Sequence, residues 1–266
     1  MPSSILRRHF CVLATFLLLA GQARAVVLDW DTVTWNNGDL TNTYQPDLAD
    51  PGSAITISVT ANNGAPIVPY SGGSNPMTPA IGTGFQGGLP TTENTLMLAV
   101  DLTNSLQSIT ITVSFAPGGG ATGVSFTLFD IDAGGPYQDQ LSLIRALSVD
   151  GTTLIAPTIT TSANNTLIGT GINQSVVGNA TTPDSGAVSG RANVTIDFGL
   201  ADIQSFTFTY GSTVAFLDPA YQHFGIHDIS YTSLTPVPEI NPALISAISC
   251  LATAGFVFRR RLKVRK

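Results

Sequence analysis

Cysteine is nearly absent from this chain. The two present, Cys11 and Cys250, each sit inside an apolar run close to one end. A disulfide-dense scaffold and a cysteine-rich zinc fold are therefore excluded. Lysine is missing altogether between residues 26 and 258, and charged residues make up 11 % of the chain, against about 25 % in ordinary soluble proteins. The remaining cations are unevenly placed. Arg7, Arg8 and Arg24 open the chain, a basic cluster closes it, and only Arg145 and Arg191 lie between. All 17 acids fall between Asp29 and Glu239, so residues 26–258 carry a formal charge of −15. A surface of that sign repels polyanions, which argues against nucleic acid as a partner. Catalytic signatures are missing too. There is no Gly-x-Ser-x-Gly elbow and no His-Glu-x-x-His pair, and Glu93 is the only glutamate between residues 26 and 233. What is present is 43 % hydrophobic residues, enough to bury a core, with 26 glycines and 16 prolines to punctuate it.

The two ends read as address signals. Arg7 and Arg8 precede the apolar stretch Phe10 to Ala20, which is too short to span a bilayer, and Ala23-Arg24-Ala25 has the small-x-small pattern that signal peptidase accepts. Residues 1–25 are thus expected to be a signal peptide, with Val26 as the mature N-terminus. At the other end, Pro236, Pro238 and Pro242 stiffen a linker at 234–242. The uncharged run Ala243 to Phe258 then extends about 24 Å as a helix at ~1.5 Å per residue, slightly less than the ~30 Å hydrocarbon core. A basic stop begins with Arg259, Arg260 and Arg261 and fits a cytoplasmic tail. Residues 243–266 are expected to be one transmembrane helix with a basic tail.

This three-part end resembles the PEP-CTERM sorting signal of Gram-negative bacteria. The matching element is Val237-Pro238-Glu239, with Ile240 where the family has a second proline. The resemblance covers residues 236–266 and implies export across the inner membrane. It also implies processing by an exosortase-like membrane enzyme and delivery to the cell surface, outer envelope or extracellular matrix.

Between these ends the hydrophobic period is two. Ile109, Ile111, Val113 and Phe115 alternate with Thr110, Thr112 and Ser114. Val124, Phe126 and Leu128, then Val194, Ile196 and Phe198, then Phe206, Phe208 and Tyr210 repeat the pattern. Such alternation marks strands with one buried face, and threonine suits the solvated face. Further strands are expected near 27–35, 54–60, 94–101, 140–149, 153–160 and 224–232, separated by Gly, Pro, Asn and Asp clusters. No stretch of the middle shows a helical stripe. The predicted fold is all-β, one antiparallel jelly-roll-like β-sandwich of about ten strands over residues 26–233. The stretches VSFTLFDIDAGGPYQDQLSLI and FGIHDISY resemble β-sandwich modules of bacterial surface proteins, which implies a noncatalytic or adhesive extracellular module.

Three groups of residues stand out as candidate sites. Asp130, Asp132 and Asp139 crowd one strand-turn-strand segment, and Asp228 in the last predicted strand is expected to join them. Carboxylates and turn carbonyls are what calcium takes, so Ca²⁺ is the cofactor this cluster suggests; turn capping by the same aspartates is the competing reading. His223 and His227 would share one face of a strand about 13 Å apart, too far to hold one ion. Trp30, Trp35, Tyr44, Tyr70, Tyr137 and Tyr221 offer flat faces for sugar stacking or for ordinary core packing. The sequence thus points to an exported, noncatalytic, adhesive or structural surface protein. Two alternatives stand beside it: a carbohydrate- or calcium-binding module, and a secreted polysaccharide hydrolase.

Overall fold

The alternation read from the sequence becomes strand after strand. The computed structural model describes residues 24–70, 75–179, 189–213, 215 and 218–234. The strands are β1 (Arg24–Leu28), β2 (Thr41–Tyr44), β3 (Ile55–Asn62), β4 (Ala80–Gly82), β5 (Thr95–Leu102), β6 (Ser108–Phe115), β7 (Ala121–Phe129) and β8 (Asp139–Ser148). They continue as β9 (Leu154–Ile155), β10 (Thr158–Thr161), β11 (Asn165–Ile168), β12 (Ser175–Gly178), β13 (Val194–Asp197), β14 (Ile203–Ser212), β15 (Ala220–Ile226) and β16 (Ile229–Ser233). Two short 3₁₀ turns, Pro51–Ser53 and Gly171–Asn173, are the helical elements among the described residues. None of these residues forms a helix long and apolar enough to cross a membrane. The signal-peptide positions through Ala23, the Val237-Pro238-Glu239 element, the apolar run at 243–258 and Arg259, Arg260 and Arg261 lie outside the described residues. Ala25 lies within β1, opposite Thr232.

The strands pair antiparallel throughout and form one continuous curled sheet. One limb runs β2-β3-β6-β14-β8-β12-β11. The other is centred on β7, with β13 and β10 beyond one edge. Along its opposite edge lie β15 and then β16, flanked in turn by β5 and β1. A bridge between Ile203 and Ala121 joins the limbs at a corner. The expected two-layer packing takes the form of one sheet folded over itself.

Aromatic rings fill the space between the limbs. Phe126 of β7 stacks on Phe206 of β14 at 4.7 Å, and Tyr210 of β14 packs on Phe224 of β15 at 4.3 Å. Phe115 of β6 meets Tyr231 of β16 at 5.1 Å. On the outer face, threonine hydroxyls pair across strands as the sequence suggested: Thr43 with Thr56, Thr110 with Thr209, and Thr127 with Thr195, each at 2.9–3.0 Å.

Three expected strands are altered. The strand over 27–35 ends at Leu28, because Asp29 starts a turn: its backbone carbonyl accepts the Thr32 N–H at 3.2 Å. The strand over 153–160 splits into β9 and β10 around Pro157, which has no N–H for a ladder. The strand over 224–232 follows β7 along its whole length but is interrupted at His227 and Asp228. There its neighbour on the other side changes from β5 to β1.

Candidate functional site

Strand β15 presents Tyr221, His223 and Gly225 to its outer face, and His227 follows in the same phase. Gln222, Phe224 and Ile226 point the other way and are buried. Gly225 is what allows a second layer over the histidines. A Cβ there would lie 2.8 Å from the Phe85 Cβ and 3.0 Å from Thr95 Oγ1, so only glycine lets Phe85 cross the strand. Phe85, Ala80, Met97 and Phe129 form a small apolar cluster outside the main core, with Tyr70 packed on it. This covers the second face of β5, which explains why its run LMLAV (96–100) is apolar at every position rather than at alternate ones.

At the edge of that cluster, aromatic rings surround His223. Its ring centroid lies 5.5 Å from Tyr70, 5.0 Å from Phe85 and 5.4 Å from Tyr221. His223 Nε2 is 2.9 Å from Asp130 Oδ2, while its Nδ1 is buried with no hydrogen-bond partner. Asp130 is itself nearly buried and adopts φ of 66°, a left-handed conformation uncommon for a residue with a side chain. The Tyr221 hydroxyl donates to the Pro69 carbonyl at 3.2 Å, fixing that ring. Tyr70 and Tyr221 are half-buried, so part of each ring faces outward.

Behind Asp130 lie the other two aspartates singled out in the sequence. The Asp132 N–H donates to Asp139 Oδ2 at 3.1 Å, and the Tyr210 hydroxyl donates to Asp139 Oδ1 at 2.8 Å. The Tyr137 hydroxyl donates to Asp132 Oδ1 at 3.3 Å. Gly178 abuts this segment so closely that a Cβ would overlap the Asp132 carbonyl. Burial pushes the Asp139 carboxyl well above the usual carboxylate range, and the Asp132 and Asp130 charges add to that push. Burial and then the Asp139 charge push the Tyr210 hydroxyl up. The structure therefore brings Asp130, Asp132 and Asp139 together, with tyrosine, histidine and backbone donors set among them.

Asp228, expected to complete that set, sits with different partners. Its Oδ1 accepts the Trp30 N–H at 3.0 Å. Burial raises its carboxyl pKa, with Asp29 and Glu93 adding to the rise. Glu93 Oε1 is 3.1 Å from His227 Nε2, and the ligand atoms of Glu93, His227 and Asp228 all lie within 4.8 Å of one another. Among the described residues this is the trio of metal-ligating side chains that converges in this way. The two histidines are thus not partners of each other, and each faces an acid distant in sequence. The sequence does not place Glu93 at this site, because 134 residues separate it from His227 and nothing local marks the contact.

Of the aromatics considered for stacking, Trp30 and Trp35 are buried and belong to the main core with Tyr44 against them. Tyr137 packs over Gly134, beside the aspartates. Tyr70 and Tyr221 share one patch.

No protein-family model matches the chain, and no curated protein does. Among solved structures, a family 11 carbohydrate-binding module from Clostridium thermocellum, in complex with a β-1,3-1,4-mixed-linked tetrasaccharide, aligns over 79 % of this chain and 96 % of its own, with 12 % identity and a TM-score of 0.32. The N-terminal domain of a Streptococcus gordonii adhesin aligns over 75 % of this chain and 61 % of its own, with 12 % identity and a TM-score of 0.35. A CBM22-1 xylan-binding domain from Paenibacillus barcinonensis aligns over 66 % of this chain and 86 % of its own, with 7 % identity and a TM-score of 0.28.

Proposed function

We propose that this is an exported, noncatalytic protein of the cell surface or extracellular matrix whose folded domain binds a neutral polysaccharide through the patch around His223. The observation that carries the reading is the setting of two half-buried tyrosine rings, Tyr70 and Tyr221, about a histidine held by a carboxylate. Sugars present C–H faces to flat rings and hydroxyls to polar groups beside them, and the patch supplies both kinds of surface. The acidic balance of the chain favours a neutral glycan over one rich in carboxylates or sulfates. A hydrolytic reading has less support, because Asp132 and Asp139 are buried and receive hydrogen bonds from tyrosines and backbone.

Affinity electrophoresis against a panel of neutral β-glucans and xylans tests the proposal. Covering about 60 Å² of one ring face at ~25 cal/mol/Å² is worth ~1.5 kcal/mol, about tenfold in Kd. Tyr70→Ala and Tyr221→Ala are each expected to lose about that much affinity. Absence of retardation by every glycan would overturn the reading.

Delivery rests on the sequence elements at the two ends. Signal peptidase acts after Ala25, and an exosortase-like enzyme acts at Val237-Pro238-Glu239. Deleting residues 236–266 is expected to release the folded domain to the medium, and unchanged retention would count against this route.

A further inference from the structure

The backbone ladder on the outer side of the β15–β16 run stops at one place. β5 lies beside Ala220–Ile226 and starts at Thr95; β1 lies beside Ile229–Ser233 and ends at Leu28. In the gap, side chains make the connections. Asn94 donates its backbone N–H and its Nδ2 to Asp31 Oδ1 at 3.2 and 2.6 Å. Trp30 N–H reaches Asp228, and Glu93 reaches His227.

The charges in this gap are unbalanced. Glu93 and Asp228 converge on a single imidazole, and the Asp29 charge acts on Asp228 as well. Carboxylates drawn together in a half-buried site repel each other unless a cation lies between them. Two of the three converging ligands are also anchored. His227 donates its backbone N–H to the Thr127 carbonyl at 2.9 Å, and Asp228 is oriented by Trp30. Such outer contacts are what hold metal ligands in place.

We propose that Glu93, His227 and Asp228 are a zinc site that ties the segment before β5 to the junction of β15 and β16. One imidazole and two carboxylates suit a borderline cation. Calcium, by contrast, seeks six to eight oxygens. Bonds of ~2.0–2.2 Å place neighbouring ligand atoms about 3.3 Å apart in a tetrahedral site. The 3.1 Å between His227 Nε2 and Glu93 Oε1 already matches, and a modest movement of the flexible Glu93 side chain closes the rest. Three protein ligands leave the fourth position to water.

The test uses the full chain in detergent, stripped with EDTA and titrated with Co²⁺ as a spectroscopic stand-in for zinc. One ion per chain is expected, with visible ligand-field bands that equimolar Zn²⁺ abolishes and millimolar Ca²⁺ leaves unchanged. His227→Ala and Glu93→Gln are each expected to weaken binding at least about tenfold. Asp202→Asn, an exposed acid ahead of β14, is expected to leave it intact. Should His227→Ala fail to give the wild-type far-ultraviolet circular dichroism spectrum, Glu93→Gln carries the test, because it keeps the side chain's shape. Absence of the bands in the wild type, or their survival in both variants, overturns the proposal. Glycan binding is measured separately, so failure here leaves the Tyr70–Tyr221 reading standing.

Discussion

Replacing Gly225 by alanine puts the layered arrangement around His223 to a direct test. The new methyl group would sit 2.8 Å from the Phe85 Cβ, 3.1 Å from its Cδ2 and 3.0 Å from Thr95 Oγ1. All three are closer than ordinary van der Waals contact, and β5 behind Thr95 is buried on both faces, so Phe85 must move. Overpacking of this kind costs about 1–3 kcal/mol. Loss of glycine's freedom in the unfolded chain returns ~0.4–1 kcal/mol. A net destabilisation of about 1–2 kcal/mol is expected, read as a lower urea midpoint at unchanged slope. Gly135→Ala supplies the internal control, since that position has no atom within 4 Å and is expected to be neutral or slightly stabilising. Phe85 also packs against His223 at 5.0 Å, so Gly225→Ala should weaken glycan retention as well as stability. Equal stability of the two alanine variants would refute the close approach and, with it, the account of how the patch is built.

Truncating the core is expected to cost more. Phe206→Ala removes a buried ring that touches Phe115, Phe126 and Phe198, and should cost about 3–5 kcal/mol by urea denaturation. Asp139 makes stability depend on pH. Its folded pKa is raised by burial above an unfolded value of about 3.9, so the native state binds its proton more tightly than the unfolded chain. That contribution is fully present below the unfolded pKa and is lost as pH rises through the folded one. Stability measured from about pH 4 upward should therefore fall with pH in the wild type and fall less steeply in Asp139→Asn. A steeper fall in the variant would count against the assignment. Tyr210→Phe, which removes the donor to Asp139 Oδ1, should lower the stability of the ionised form more than that of the protonated one, and so deepen the fall in stability with rising pH.

The long strands were legible because their two faces differ. β6 reads SITITVSF, and its residues alternate between half-exposed and buried without exception. β2, β4, β11 and β12 went unseen because TNTY, AIG, NTLI and SVVG are too short to display a period, and tertiary pairing alone decides them. The candidate sites divide in the same way. Asp130, Asp132 and Asp139 were visible as a group because one turn carries them. The contacts of His223 with Asp130 and of His227 with Glu93 depend on which strands become neighbours, and no local pattern encodes that. Asp228 looked like a member of the first group because the interruption after β15, which changes its surroundings, leaves no trace in an apolar-polar alternation.

The pairing of β1 with β16 has a mechanical consequence. Val26 lies opposite Tyr231, so the first and last strands of the described domain run side by side, and β16 is gripped on its other edge by β7. In the proposed arrangement a tether leaves from the residues that follow β16. A pull along that strand loads its hydrogen bonds on both edges in shear, all at once, instead of unzipping them one by one. With the proposed glycan at one end and the proposed tether at the other, a domain built this way is expected to resist extraction when the two are drawn apart.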